Sequence, residues 1–430
     1  MASDPPSLAH RTGLRRSPHL PAAVIVAVGF LARLAWMLHV RPMPVSDFND
    51  YRTLALGIID HLQFGYPEPT AFFLPVHPTF LAGFALISRS DLWLAFSMVL
   101  VGTASVLLVY LVGLRVLPTR RAALIAAGIF ALFPTFVVFS PVLATEHLFV
   151  LLMLGAIYLL TGEPSSRRFA ASGVLLGLAV LTRGEAVFYL PAVGLWGLIG
   201  MRSALPLKRR VQLLAVAAAA VLVVVIPWYV RNAVVVGPEA GLSASAGLNF
   251  YFAHNDSGNY GDYTEGNPLV GLPSEQQSAL GWKLGWQHIK AHPLNLVKDI
   301  RIGTLRLFGA PDYAVIWATS KGDFYGDPEF EAIPVRFSTA LNDLARITTA
   351  ALVTLSLAAL LVPRSWQPGF SWLIVPLCVS SWMLRTVIYW AMPRYAYFIT
   401  SMFVFAAALT IDRLLAAGTL GSAKLAPKPA

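Results

Sequence analysis

The sequence predicts an all-α integral membrane protein with about ten transmembrane helices, interfacial helices in the first external loop, and one long external region. Three observations predict it. Of 430 residues, 57% are hydrophobic and 13% charged, whereas soluble domains carry roughly 25% charged residues. The apolar residues fall in runs near the roughly 20 that a spanning helix needs, since backbone polar groups in lipid must be satisfied within the segment. Many cations sit in short loops between those runs, the bias that marks cytosolic loops. That placement turns the net charge of +10 from a nucleic-acid signal into a topology signal, and no nucleic-acid partner is expected. The single Cys378 excludes an internal disulfide, and no zinc-type Cys/His spacing occurs.

The first run, 20–40, follows Arg11, Arg15 and Arg16 and lacks a small-residue cleavage site, so it reads as a retained anchor with a cytosolic tail, 1–19. Arg33 within it is costly in lipid unless it snorkels or faces protein or water. Runs at 92–114 and 122–140 flank Arg115, Arg120 and Arg121, a cytosolic turn. The run at 147–161 ends before Arg167 and Arg168. The stretch 169–200 breaks at Thr182-Arg183-Gly184-Glu185 and reads as two short helices with an outward apex. Arg202, Lys208, Arg209 and Arg210 mark the cytosol again, and 211–228 returns outward. A polar region at 229–339 follows, then runs at about 341–362, 370–389 and 396–416, with Arg364, Lys424 and Lys428 on the cytosolic side. The chain thus divides into an N-terminal transmembrane module (20–228, with its external loop 41–91), the region 229–339, C-terminal helices (340–416) and a tail (417–430). The apolar stretch 72–88 contains Pro75 and Pro78, and spanning there would put the basic loops outside. It is expected to lie in the outer interface.

This topology sorts the charges. All but three of the 22 acidic residues fall outside, the exceptions being Asp4, Glu163 and Asp412. At membrane level stand Asp47 and Asp50, Glu146, Arg183 with Glu185, Arg231, Arg385 and Arg394. Such groups serve ion paths, proton relays and lipid head-group sites. Asp47 and Asp50 share a face of a helix. Either they form a capping box, with Asp47 the N-cap and Asp50 at N3, or one is a general base. Glu146 either meets a helix dipole or helps position an acceptor, metal or water. His147 reads as a hydrogen-bonded interface residue more readily than as a ligand. Arg183, Arg231 and Arg394 either pair with acids and snorkel or bind phosphate, whose oxygens fit the guanidinium fork. Trp228, Tyr229, Trp390 and Tyr395 read as interfacial anchors. Asn255-Asp256-Ser257 is a weak sequon, and Gly173 with Gly177 reads as a helix-packing pair. No phosphate-binding glycine loop, nucleophile elbow, HExxH motif or clear repeat is present.

The ordered series resembles the C-type glycosyltransferase superfamily, specifically the bacterial relatives of protein O-mannosyltransferases and aminoarabinose transferases. The matching pieces are Ser46-Asp47 with Tyr51, Gly65-Tyr66, Pro75-Val76-His77-Pro78, Ala144-Thr145-Glu146 and Leu181-Thr182-Arg183. Pro227-Trp228 with Arg231-Asn232, Gly247-Leu248-Asn249 and Arg394-Tyr395 complete it. The resemblance implies catalysis on the external face of a bacterial inner membrane with a polyprenyl- or dolichyl-phosphate sugar. It implies a catalytic Asp at Asp47, a second acid at Glu146, and phosphate-binding arginines among Arg183, Arg231, Arg394 and Arg385. Many relatives carry Asp-Glu in this loop; here Phe48 follows Asp47, and Asp50 could supply the missing acid, with Glu185 a further auxiliary carboxylate. A lipid-phosphate sugar is already activated, which fits the missing nucleotide loop. The expected reaction is an inverting displacement onto a glycan, lipid or protein acceptor. No cofactor is expected, although a carboxylate-rich site could bind a divalent metal. The rival reading is a secondary transporter or lipid flippase.

Overall fold

The computed structural model describes residues 19–65, 67–255, 267–309, 313–319, 335–362 and 366–425. Arg11, Arg15, Arg16, Tyr66, Asp256, Ser257, Arg364 and Lys428 lie outside them. Among the described residues the regular structure is helical, with no strand. Six helical stretches among the described residues are long and apolar enough to cross a membrane: Leu20–Val40, Asp91–Val116, Leu207–Val235, Phe337–Leu361, Phe370–Ile388 and Pro393–Ala417. Thr145–Leu160 and Gly184–Gly200 are shorter apolar helices.

The order begins with α1 (Leu20–Val40), α2 (Asp47–His61), α3 (Val76–Ala85) and α4 (Asp91–Val116). The ten residues of α3 rise only about 15 Å, half of a bilayer core. It packs on α2 and α4, which suits an interfacial helix. Next come α5 (Arg120–Leu132), α6 (Pro134–Val138), α7 (Thr145–Leu160) and α8 (Ser166–Val180). After the break, a 3₁₀ turn Gly184–Tyr189, α9 (Leu190–Leu195) and a π turn Trp196–Gly200 lead to α10 (Leu207–Val235). The polar region is itself helical, with α11 (Ser245–Ala253), α12 (Ser274–Ala291), α13 (Asn295–Gly309) and α14 (Tyr313–Thr319). Then α15 (Val335–Ala358) and α16 (Val375–Met383), the latter between π turns, precede α17 (Tyr397–Leu425).

Two local features fix the bundle. Pro134 has no N–H to offer the Phe130 carbonyl, so the α5–α6 break strands acceptors inside protein. Arg33 supplies the donors: its guanidinium reaches the Phe130 and Ala131 carbonyls at 3.0 and 2.7 Å and Gly29 at 3.0 Å. It is fully buried, so the costly charge of α1 neither snorkels nor meets water; it clamps α1 to the kink. Gly173 and Gly177 let α8 lie against α10: a Cβ on Gly177 would stand 2.8 Å from Val224 Cβ, and one on Gly173 would strike the Ala217 carbonyl. The small-residue pair is therefore a packing device, and it places the end of α8, where Arg183 follows.

The helix ends separate the charges. One end gathers Arg115, Arg120, Arg121, Arg167, Arg168 and Arg209. There the buried Asp412 pairs with Arg121 at 2.5 Å. The other end gathers the start of α2, the start of α7, the turn after α8, and the segment between α16 and α17.

Candidate active site

Asp47 is the first residue of α2, and the N-cap is Ser46, whose side chain makes no capping bond. The capping-box alternative is therefore not realised, because the helix starts one residue earlier, with Asp47 inside it, and Asp47 is engaged elsewhere. Its Oδ2 accepts a hydrogen bond from Arg394 Nη2 at 2.6 Å. Ser46 precedes it at φ +51°, a region that non-glycine residues seldom occupy. Asp50 is exposed and does not line the cavity described below.

Glu146 begins the first turn of α7 and is 4% exposed. Arg183 Nη1 lies 2.8 Å from its Oε1, and Arg394 Nε 3.9 Å from the same atom. Arg183 Nη1 also donates to Thr145 Oγ1 at 2.8 Å, and its Nε donates to Glu185 Oε1 at 3.2 Å. Arg385 closes the series by pairing with Glu185 Oε2. An alternating chain results: Asp47, Arg394, Glu146, Arg183, Glu185, Arg385. Its six charges cancel, and their mutual attraction offsets part of the desolvation cost of burying each of them.

Tyr395 holds the fan open. The Arg183, Arg385 and Arg394 guanidinium carbons stand 5.3, 4.2 and 5.2 Å from its ring centre. Rings of Phe48 and Trp317 flank Arg394 at 5.6 and 5.8 Å. Tyr395 thus packs among three arginines, where its sequence context had suggested a membrane anchor. The sequence signal was present in Arg394-Tyr395, but an aromatic beside an arginine at a helix end reads equally well as interfacial.

These groups border a cavity of about 430 Å³. Asp47, Arg183, Glu185, Arg385, Arg394 and Tyr395 all line it. Tyr51, Phe72 and Phe73 form one wall, and Ser243, Ser245 and Asn249 another. Glu146 does not line the cavity; it sits behind Arg183 and Arg394 as their counter-ion. His147 is internal too: its Nε2–H donates to the Phe139 carbonyl, so Nδ1 accepts from the Tyr397 hydroxyl, each at 3.0 Å.

Arg231 is not at the cavity. Its Nη1 donates to the Thr70 carbonyl at 2.7 Å and its Nη2 to the Phe64 carbonyl at 3.0 Å. Its guanidinium lies 4.9 Å from the Trp228 ring centre. Asn232 bonds the Gly241 and Leu242 carbonyls at 3.0 and 3.2 Å, and Ser243 Oγ donates to Phe72 O at 2.7 Å. The end of α10 therefore stitches Phe64 and the strap 67–72 to a second strap, 241–244, and the two straps lead into both walls. Trp228 Nε1 joins them through Leu242 O at 3.0 Å, an internal contact for a residue expected to be an anchor.

Among described residues, no cluster of three His, Cys, Asp or Glu side chains is arranged to hold a metal. The space between Asp47 and Glu146 contains the Arg394 guanidinium.

Comparison with known proteins agrees with the resemblance read from the residues. The dolichyl-phosphate-mannose-protein mannosyltransferase family model matches residues 68–230. Comparison with curated protein sequences gives no match. By fold the chain is similar to the oligosaccharyltransferase of Archaeoglobus fulgidus in its apo form. That match has a TM-score of 0.55 and 16% identity, and covers 97% of this chain and 53% of the other. The archaeal oligosaccharyltransferase AglB from Archaeoglobus fulgidus, in complex with an inhibitory peptide and a dolichol-phosphate, matches with a TM-score of 0.53 and 14% identity. It covers 96% and 53% of the two chains. The present chain thus spans about half the length of these two. ArnT from Cupriavidus metallidurans bound to undecaprenyl phosphate matches at a TM-score of 0.45 and 16% identity, over 94% and 80% of the two chains. The likeness to the oligosaccharyltransferase of Archaeoglobus fulgidus is one of fold.

Proposed function

We propose that this protein transfers a sugar from a polyprenyl- or dolichyl-phosphate donor to an acceptor at the external face of a membrane, by inverting displacement with Asp47 as general base. One observation carries the reading: Asp47 and Arg394, 347 residues apart, meet at 2.6 Å in the wall of a cavity that Arg183 and Arg385 also line. A carboxylate able to take a proton faces guanidiniums able to hold a phosphate. The family model adds the donor class.

In this reaction Asp47 accepts the proton of the acceptor nucleophile as that atom bonds to the anomeric carbon. The bond from that carbon to the phosphate oxygen breaks, and its electron pair stays on the phosphate. Arg394, Arg183 and Arg385 oppose the charge that builds there. Such preorganised charges act most strongly where water is excluded. Glu146 and Glu185 keep the arginines aimed; they are positioning residues. Arg231 shapes the walls and holds no phosphate. As arranged, the site does not suit a divalent cation, because Arg394 stands between the two carboxylates that would ligate it. The basic helix ends lie opposite the site, which supports an external site in a bacterial inner membrane.

The test is turnover of an undecaprenyl-phosphate sugar by Asp47→Asn protein of normal yield and monodispersity. Consumption is expected to fall by about 10²–10⁴-fold. Undiminished consumption would remove Asp47 from the chemistry.

A further inference from the structure

A second cavity, of about 310 Å³, adjoins the first. Phe252, Arg385 and Tyr389 line both and form the partition. Its far side comes from α12 and α13, through His288, Lys298, Asp299 and Arg306. With Arg385 it carries three cations against one carboxylate.

His254 and Arg385 both line this cavity, and each has a buried nitrogen without a hydrogen-bond partner, His254 Nδ1 and Arg385 Nε. Their residues are 2% and 5% exposed, so leaving these atoms unpaired costs free energy that a ligand would recover. The two ask for different things. His254 Nε2 lies 3.2 Å from the Ile388 carbonyl, which only accepts, so Nε2 carries the proton. Burial lowers the pKa of this ring, so it is neutral at pH 7 and Nδ1 is a lone-pair acceptor. It calls for a hydroxyl. Arg385 Nε, with Lys298 and Arg306, calls for an anion.

We propose that the second cavity binds a hydroxylated anion, a sugar unit bearing a phosphate or carboxylate, and that this unit belongs to the acceptor. The acceptor is then an anionic glycan, free or on a lipid head group. Assignment to the acceptor rests on the function proposed above; the existence of the site does not. The donor phosphate has to stand beside Asp47 and Arg394 in the first cavity, because it is bonded to the carbon under attack. Phe252, Arg385 and Tyr389 belong to both linings, so an acceptor seated in the second cavity can present a hydroxyl to the first.

The test uses the full-length protein in detergent, with glucose 6-phosphate as probe, glucose and inorganic phosphate as controls, and undecaprenyl phosphate as probe of the first cavity. Glucose 6-phosphate is expected to bind at least tenfold more tightly than either control. The exposed pair Lys298→Glu with Arg306→Glu is expected to weaken it at least tenfold and to leave undecaprenyl phosphate unchanged. The milder Lys298→Gln with Arg306→Gln pair reads the same effect if the first variant folds poorly. Three results would each overturn the site: no binding of glucose 6-phosphate, binding no tighter than glucose or phosphate, or binding unaltered in both variants. Loss of undecaprenyl phosphate in the variants would give the cavity to the donor and overturn the acceptor assignment. Glucose 6-phosphate binding without any sugar transfer by the wild type would instead count against the glycosyltransferase reading alone.

Discussion

Arg231 and Arg394 read alike in the sequence, and replacing them one at a time separates them. Arg394→Gln removes a guanidinium that touches Asp47 at 2.6 Å and lines the cavity. Losing one preorganised donor to developing charge costs about 2.7–4 kcal/mol, or about 10²–10³ in kcat. Arg231→Gln removes hydrogen bonds to the Thr70 and Phe64 carbonyls and touches nothing in the cavity. An orphaned buried carbonyl costs about 1–3 kcal/mol, but Arg231 is half-buried and water returns part of it. The expected loss is about 1–2 kcal/mol of stability, with kcat within about threefold of wild type. Initial rates of donor consumption, with thermal midpoints and gel-filtration profiles of both variants, give the comparison. Arg394→Lys guards against misfolding, since it keeps the charge beside Asp47 while losing the fork. If Arg231→Gln loses as much kcat as Arg394→Gln while staying monodisperse, the separation of roles is wrong.

Other consequences follow from the same geometry. Tyr395→Leu removes the ring face shared by three guanidiniums, each contact worth about 0.5–2 kcal/mol; kcat is expected to fall at least tenfold, and Tyr395→Phe to stay near wild type. Exhaustive chelation is expected to leave turnover within about twofold, and activity lost to EDTA but restored by Mg²⁺ or Mn²⁺ would contradict the placement of Arg394 between the carboxylates. Gly173→Val drives a branched side chain into the α10 backbone, which cannot yield as a side-chain tip would. A lower thermal midpoint, by about 1–3 kcal/mol of stability, is expected. Arg33→Met strands the Phe130 and Ala131 carbonyls at the α5–α6 kink, and a larger drop in the midpoint is expected than for Arg231→Gln.

Much of the fold was legible because the bilayer imposes a simple rule on composition and the arginines mark one side. The packing role of Gly173 and Gly177 was legible from spacing, since only small residues let backbones approach so closely. Arg33 was flagged as costly, but its partner was not: nothing local joins it to carbonyls about 97 residues away. The grouping of Asp47, Glu146, Arg183 and Arg394 was expected from their common level at helix ends. Their division of labour was not. Whether a charge faces the cavity or stands behind another charge depends on helix rotation by a fraction of a turn, and in apolar helices hydrophobic periodicity does not report it. Arg231 misled for the same reason. Its guanidinium fork and its place in the motif series implied phosphate binding, whereas the partners are main-chain carbonyls, which sequence does not display.

The balance of charges also constrains the order of events. Three carboxylates and three guanidiniums already neutralise one another, so an incoming phosphate cannot simply add to the cluster; it has to take a guanidinium from a carboxylate. Glu146 and Glu185 have side chains 5% and 8% exposed, and once uncovered would be unpaired charges in a dry interior. Asp47 is 34% exposed, so water can replace what Arg394 gives up. The partner that yields is therefore Asp47. In the proposed reaction, a carboxylate released from a 2.6 Å ion pair has its oxygen free to accept, so donor phosphate binding uncovers the residue that takes the acceptor proton. Acceptor deprotonation is then coupled to the presence of a leaving group, and a site empty of donor keeps its base neutralised. Saturation with undecaprenyl phosphate should accordingly increase the labelling of Asp47 by a carboxyl-directed carbodiimide at a fixed pH in wild type, and Arg394→Gln should abolish that increase. Identical carbodiimide profiles with and without the lipid phosphate would refute the exchange.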